Sequence, residues 1–157
     1  MGMKIAYRGN ESALNNYKYM TEIKSAKETI VEGKIREIVD ELIAHHTEGD
    51  DLPKRLLDIL LDNDEIKAIQ DYANTVSITR LGFNDHGPVH MKMVCRNALK
   101  MLLILHKAGI QTSLEKENAG TFTDSICAVM IAALLHDSGM TIGRKNHELY
   151  SGIITFG

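Results

Sequence analysis

The chain lacks most of the features that would send it outside the cell or onto a large polyanion. It has two cysteines, Cys95 and Cys127, in neither a CxxC pair nor the even, spaced set of a disulfide scaffold, so both are expected to be buried free thiols in a reducing compartment. Its longest apolar run, "ICAVMIAALL", is about half of a membrane span. The opening "MGMKIAYRGN" has no apolar core of the kind a secretory signal carries. Basic and acidic residues number 18 and 21, a net charge of -3, and no Lys/Arg block is present to track a phosphate backbone. A cytoplasmic protein is expected, with no membrane and no nucleic-acid polymer among its partners. No stretch alternates apolar and polar residues as a half-buried strand would, which argues against a sheet.

What the chain has is helical periodicity. Its 157 residues, 44% of them hydrophobic, suffice for one compact core. From about Glu11 to His46, apolar residues at Ile23, Ala26, Ile30, Val31, Ile35, Ile38, Leu42 and Ile43 recur at spacings of three and four. Residues 1–52 are thus read as an amphipathic helical segment, one long helix or two with a bend near Gly33. After the break "HTEGDDLP", Leu56, Leu57, Leu60 and Leu61 define a second helix, and a third runs from about Asp64 through Val76 and fades at "RLGFNDHG". The next opens at Pro88, with Asp85 or His86 as cap, and ends at Gly109; Val94, Ala98, Met101, Leu102 and Leu105 form its core stripe, with His90 one turn before Val94. "QTSLEKENAGTFTD" reads as a polar loop. The most apolar helix follows, capped by Thr123 or Asp124 and ended by Gly139, and a last one opens near Asn146. The architecture predicted is all-α.

The apolar helix delivers His136 and Asp137 side by side in "AALLHDSGM". An imidazole and a carboxylate are suitable ligands for a divalent metal, and such an apolar helix holds an unpaired charge only at high cost. A His-Asp dipeptide at a helix end also serves as a hydrogen-bonded cap, so the pair alone does not decide. His90 faces the same core from an earlier helix, and His147 follows across the short loop "SGMTIGRKN". His86, a helical turn before His90, faces either the pocket or solvent. His45, His46 and His106 lie beside polar helix ends and are read as surface residues. "HELYS" is not a zinc-protease helix, since the second histidine of HExxH is absent.

Three separated blocks, "RLGFNDHGPVHMKMVCRNALKML", "LLHDSGM" and "RKNHELYSG", resemble in order the HD-domain superfamily of metal-dependent phosphohydrolases, in a branch of archaeal and bacterial members. The resemblance covers about residues 64 to 157, and it implies an HD-domain-like helical bundle over 53–157. It implies further that His90, His136 and Asp137 hold a divalent ion, Mn, Ni, Mg, Zn or Fe, and that a metal-activated water hydrolyses a nucleotide or another small phosphate ester. Asp137, His147 and Arg144 are then the catalytic candidates, and His86, Arg144 and His147 those that meet the substrate phosphate.

The sequence departs from the family pattern in two ways. No aspartate follows Asp137, so the fourth family ligand is missing, and the bundle is expected to be C-terminally incomplete and weak or inactive. Glu148 is a poor substitute, because it points about 100° away from His147 around one helix. Methionine stands at position 140, where many members carry a lysine that approaches the phosphate, and the signature of cyclic-dinucleotide hydrolases is absent. The competing reading is a non-catalytic helical module with structural histidines, binding a partner or a second copy of itself.

Overall fold

A computed structural model describes residues 24–44, 51–80 and 87–156. Every regular element in these residues is helical. They are α1 (Ala26–Ala44), α2 (Leu52–Asp62), α3 (Asp64–Thr75) with a π-helical turn at Val76–Arg80, α4 (Pro88–Lys107), α5 (Ser113–Lys116), α6 (Phe122–Leu135), a 3-10 turn at Ser138–Thr141, and α7 (His147–Phe156). The fold is all-α. Among the described residues no helix is long and apolar enough to cross a membrane. The helical start assigned to residues 11–23, and Asp85, His86, His45 and His46, lie outside the described residues.

The main core forms where α1, α2, α4 and α6 meet. Ile35 and Leu42, Leu57 and Leu61, Cys95 and Leu99, and Ile126, Met130 and Leu134 are its fully buried centre. α1 runs unbroken through Gly33 and buries Val31, Ile35, Val39 and Leu42, while Ile30 turns to solvent. Between α1 and α4 the ammonium of the buried Lys92 lies 2.9 Å from Glu28 and 2.7 Å from Glu32, and Lys24 lies 2.9 Å from Glu32. Cys95 is buried and Cys127 half-buried; both are free, and burial pushes the Cys95 thiol up to about 12.

Several local expectations need correction. The buried face of α4 is centred on Met91, Cys95, Leu99 and Leu102, with Met101 and Leu105 exposed. The stripe was displaced because α4 lies between α1 and α6 and is buried along a wide arc, in which periodicity marks no single edge. Gly87, not Asp85 or His86, is its N-cap, and a Cβ there would come 2.7 Å from the Asn74 side chain. Within the polar loop, Thr112 and Glu115 form a capping box that closes the single turn of α5. α6 starts earlier than expected for the same reason: Thr121 is its cap, with Asp124 as the reciprocal acid. It ends at Leu135, so Gly139 belongs to the turn that follows. His106 is half-buried and stacks on Phe122 with ring centroids 4.0 Å apart, because the packing of α6 reaches the end of α4.

Candidate metal centre

Three helices and one turn build the site. α6 stops at Leu135 and its last carbonyls, which have no partners within the helix, are taken up by side chains. The His136 ring takes the Ala133 carbonyl at 3.0 Å, Gln70 of α3 reaches the Leu134 carbonyl at 2.9 Å, and Ser138 bonds the Leu135 carbonyl at 2.8 Å. The His136 carbonyl accepts from Ser151 of α7 at 2.5 Å. The turn that carries the His-Asp pair is therefore fixed at each of these carbonyls. Beneath it Ala73, Met91 and Met140 form a small second core. Met140 is 2% exposed within this cluster, a position that suits an apolar side chain and not a lysine.

Asp137 sits at the centre, 2% exposed and ringed by imidazoles. Its Oδ2 lies 3.2 Å from Nε2 of His136 and 3.5 Å from Nε2 of His90, which enters from the first turn of α4. Its other oxygen, Oδ1, lies 3.4 Å from Nε2 of His147 at the start of α7. The His90 and His136 rings are tilted against each other with centroids 5.4 Å apart. One ligand atom from each of His90, His136 and Asp137 falls within a set spanning 4.8 Å, so these three could hold one ion. His147 stands just outside that set, on the other face of the carboxylate.

The tautomers give this cluster its chemistry. Nδ1 of His136 meets the Ala133 carbonyl, and Nδ1 of His147 meets the Arg144 carbonyl at 2.9 Å. A carbonyl only accepts, so in both rings Nδ1 carries the proton and the neutral ring turns an Nε2 lone pair toward Asp137. Lone pairs facing a buried carboxylate repel it unless a proton or a cation lies between them. The hydrogen bond to Asp137 accordingly raises the His136 pKa, against the opposing effect of partial burial and with help from the Ala133 carbonyl. Fixing Nδ1–H on a backbone carbonyl is also how metal-binding histidines are usually oriented. The donor set therefore fits a divalent cation.

The other candidates are placed differently. Arg144 is exposed, and its backbone carbonyl meets the site through His147. Glu148 is also exposed, 3.6 Å from Nδ1 of His147, on the side of the ring away from Asp137, and it does not join the cluster. His86 lies outside the described residues. A groove of about 480 Å³ opens beside His136 and His147, walled by Ile131, Ala132 and Leu135 of α6 and Gly152 and Phe156 of α7. Ser151 was missed in the sequence, although its position one helical turn after His147 placed it on the same face of α7. Gln70 carried no sequence signal beyond a polar residue on an otherwise apolar face.

Over 103 residues the chain is 40% identical to an uncharacterized protein of Methanocaldococcus jannaschii, a stretch covering 66% of this chain and 40% of that protein. The chain thus spans less than half the length of this relative. No family model and no solved structure matches this chain.

Proposed function

We propose that this chain binds a divalent metal ion through His90, His136 and Asp137 and is a metal-dependent phosphohydrolase of the HD-domain superfamily, acting on a nucleotide or another small phosphate ester. The observation that carries the reading is the convergence of imidazole Nε2 atoms from α4 and α6 on one buried carboxylate, with the His136 tautomer fixed so that its lone pair faces inward. The resemblance of three sequence blocks to that superfamily adds to it.

Two imidazoles and a carboxylate suit Mn, Fe, Ni or Zn better than Mg, which prefers oxygen alone. Once bound, the ion would supply an activated water and polarise the phosphoryl oxygen. The chain's own residues do the rest. Asp137, between His90 and His136, provides the carboxylate that would hold a cation. His147, on the opposite carboxylate oxygen and lining the groove, is assigned to donate from Nε2 to a phosphate oxygen. Arg144, on the exposed turn before α7, is assigned to the outer phosphate charge. The groove has the size and apolar walls of a small-molecule site, with His136, His147, Glu148, Ser151 and Thr155 among its lining. Free cysteines suit the cytoplasm.

A non-catalytic association module draws its support from a different observation, the exposure of Leu149, Ile153 and Phe156 on α7. Hydrolysis separates the two. A panel of nucleotides and aryl phosphates incubated with Mn, Ni, Zn or Mg should include a substrate, with turnover falling at least about a hundredfold in Asp137→Ala if the carboxylate holds the ion. Turnover that persists undiminished in Asp137→Ala, or its absence with every ion and ester, contradicts the proposal.

A further inference from the structure

We propose that Ser151 is a positioning residue for the metal centre, an inference that rests on the metal reading above. Ser151 is 5% exposed, and its hydroxyl makes two hydrogen bonds to one turn: it donates to the His136 carbonyl at 2.5 Å and accepts from the Gly139 amide at 2.8 Å. The first of these acts on the peptide unit that joins His136 to Asp137. A peptide unit is planar, so the direction of its carbonyl sets the orientation of both flanking Cα atoms and of the side chains they carry. One hydroxyl thereby fixes the plane between two of the three ligands.

The second bond closes the far side of the turn. Gly139 lies so close to α7 that a Cβ there would stand 2.0 Å from the His147 carbonyl and 2.6 Å from the Ser151 amide. α7 and the turn are in backbone contact, and the Ser151 hydroxyl is the polar link across that contact. The same helix carries His147 one turn earlier. Ser151 therefore sets His147 against Oδ1 of Asp137 while it holds the plane behind His136.

The other partners of the α6 end do not do this. Gln70 and Ser138 bond the Leu134 and Leu135 carbonyls, which precede the His136–Asp137 peptide unit. Outer contacts that orient metal ligands change affinity by about 10- to 100-fold when they are lost. Ser125 provides a comparison elsewhere in the chain: it is also 5% exposed, and its hydroxyl bonds the Thr121 carbonyl at 3.2 Å and the Thr112 hydroxyl at 2.8 Å, at the other end of α6.

The test is titration of the metal-free chain with Co(II), read by its visible d–d absorption and by melting temperature, for the parent, Ser151→Ala, Ser151→Thr and Ser125→Ala. Ser151→Ala should bind at least about tenfold more weakly and with an altered spectrum, as for a lost orienting contact. Ser151→Thr, which keeps the hydroxyl, should bind within about threefold of the parent if that hydroxyl is what matters. Ser125→Ala should melt lower and yet keep the parent affinity and spectrum. Parent-like binding by Ser151→Ala overturns the inference and leaves the metal reading intact, as does a folded Ser151→Thr that loses the metal. A parent chain that binds no Co(II) overturns the metal reading and the inference with it.

Discussion

His136 is bound on both sides of its ring, by a backbone carbonyl at Nδ1 and by a carboxylate at Nε2. Lys92, two positions beyond His90 on the same helix, shows a different balance of charge. It is 3% exposed and lies between Glu28 and Glu32, so α4 carries the candidate ligand His90 on one face and a buried cation on another. Burial pushes the Glu28 pKa up, but the Lys92 ammonium and hydrogen bonds from Ser25 outweigh it and hold the carboxyl below its ordinary 4.5. A depressed carboxyl favours folding when ionised, so its contribution is complete above about pH 4.5 and is lost as the pH falls through the lowered value. The melting-temperature difference between the parent and Glu28→Gln should therefore be larger near neutral pH and shrink as the pH falls below 4.5 through the lowered value. Asp71 acts in the opposite sense, since burial and then the Glu28 charge raise its pKa, and Glu28→Gln relieves the second of these, which opposes the loss of the Lys92 contact. A difference independent of pH would show that Lys92 does not stabilise the Glu28 charge.

At the scale of elements, α7 is the part on which the site most depends. It meets the Ser138–Thr141 turn through close backbone approach at Gly139 and through Ser151. Gly139→Ala should force the two apart, lowering stability by about 1–3 kcal/mol in urea unfolding, as an overpacked contact does. Unchanged stability would mean that α7 is free to shift. The helices themselves were legible in the sequence because each buries a stripe at helical spacing. α2 and α3 follow it closely, with Pro53 in the first turn of one and Asn63 capping the other. The stripe misled on α4, which is covered from two sides. The starts of α5 and α6 were hidden in a polar stretch because a capping box is a pattern of polar residues, and hydrophobic periodicity does not register it. Of the site, His90, His136, Asp137 and His147 were legible because their chemistry is unusual beside so many apolar residues. Ser151 and Gln70 were not, because their roles depend on which backbone carbonyl ends up beside them, and only the packing of α3 and α7 against α6 decides that.

In the molecule as a whole, the main core and the site are separate. The core binds α1, α2, α4 and α6 together, Ala73, Met91 and Met140 form a second cluster, and the site takes its polar groups from the ends of α4, α6 and α7. Changes at the histidines should therefore alter what the chain binds more than whether it folds. An ion that binds only the folded chain should also stabilise it, by about 2.7 kcal/mol at a hundred times its dissociation constant. The most direct test of the central claim is metal content per chain by elemental analysis, on protein purified without an affinity-tag metal and then equilibrated with Mn, Ni or Zn, beside the His136→Ala, Asp137→Ala double variant. The account predicts about one ion per parent chain, and none in a double variant whose circular dichroism still shows a folded all-α protein. Equal metal content in the two proteins, or none in the parent with any of the ions, would contradict it.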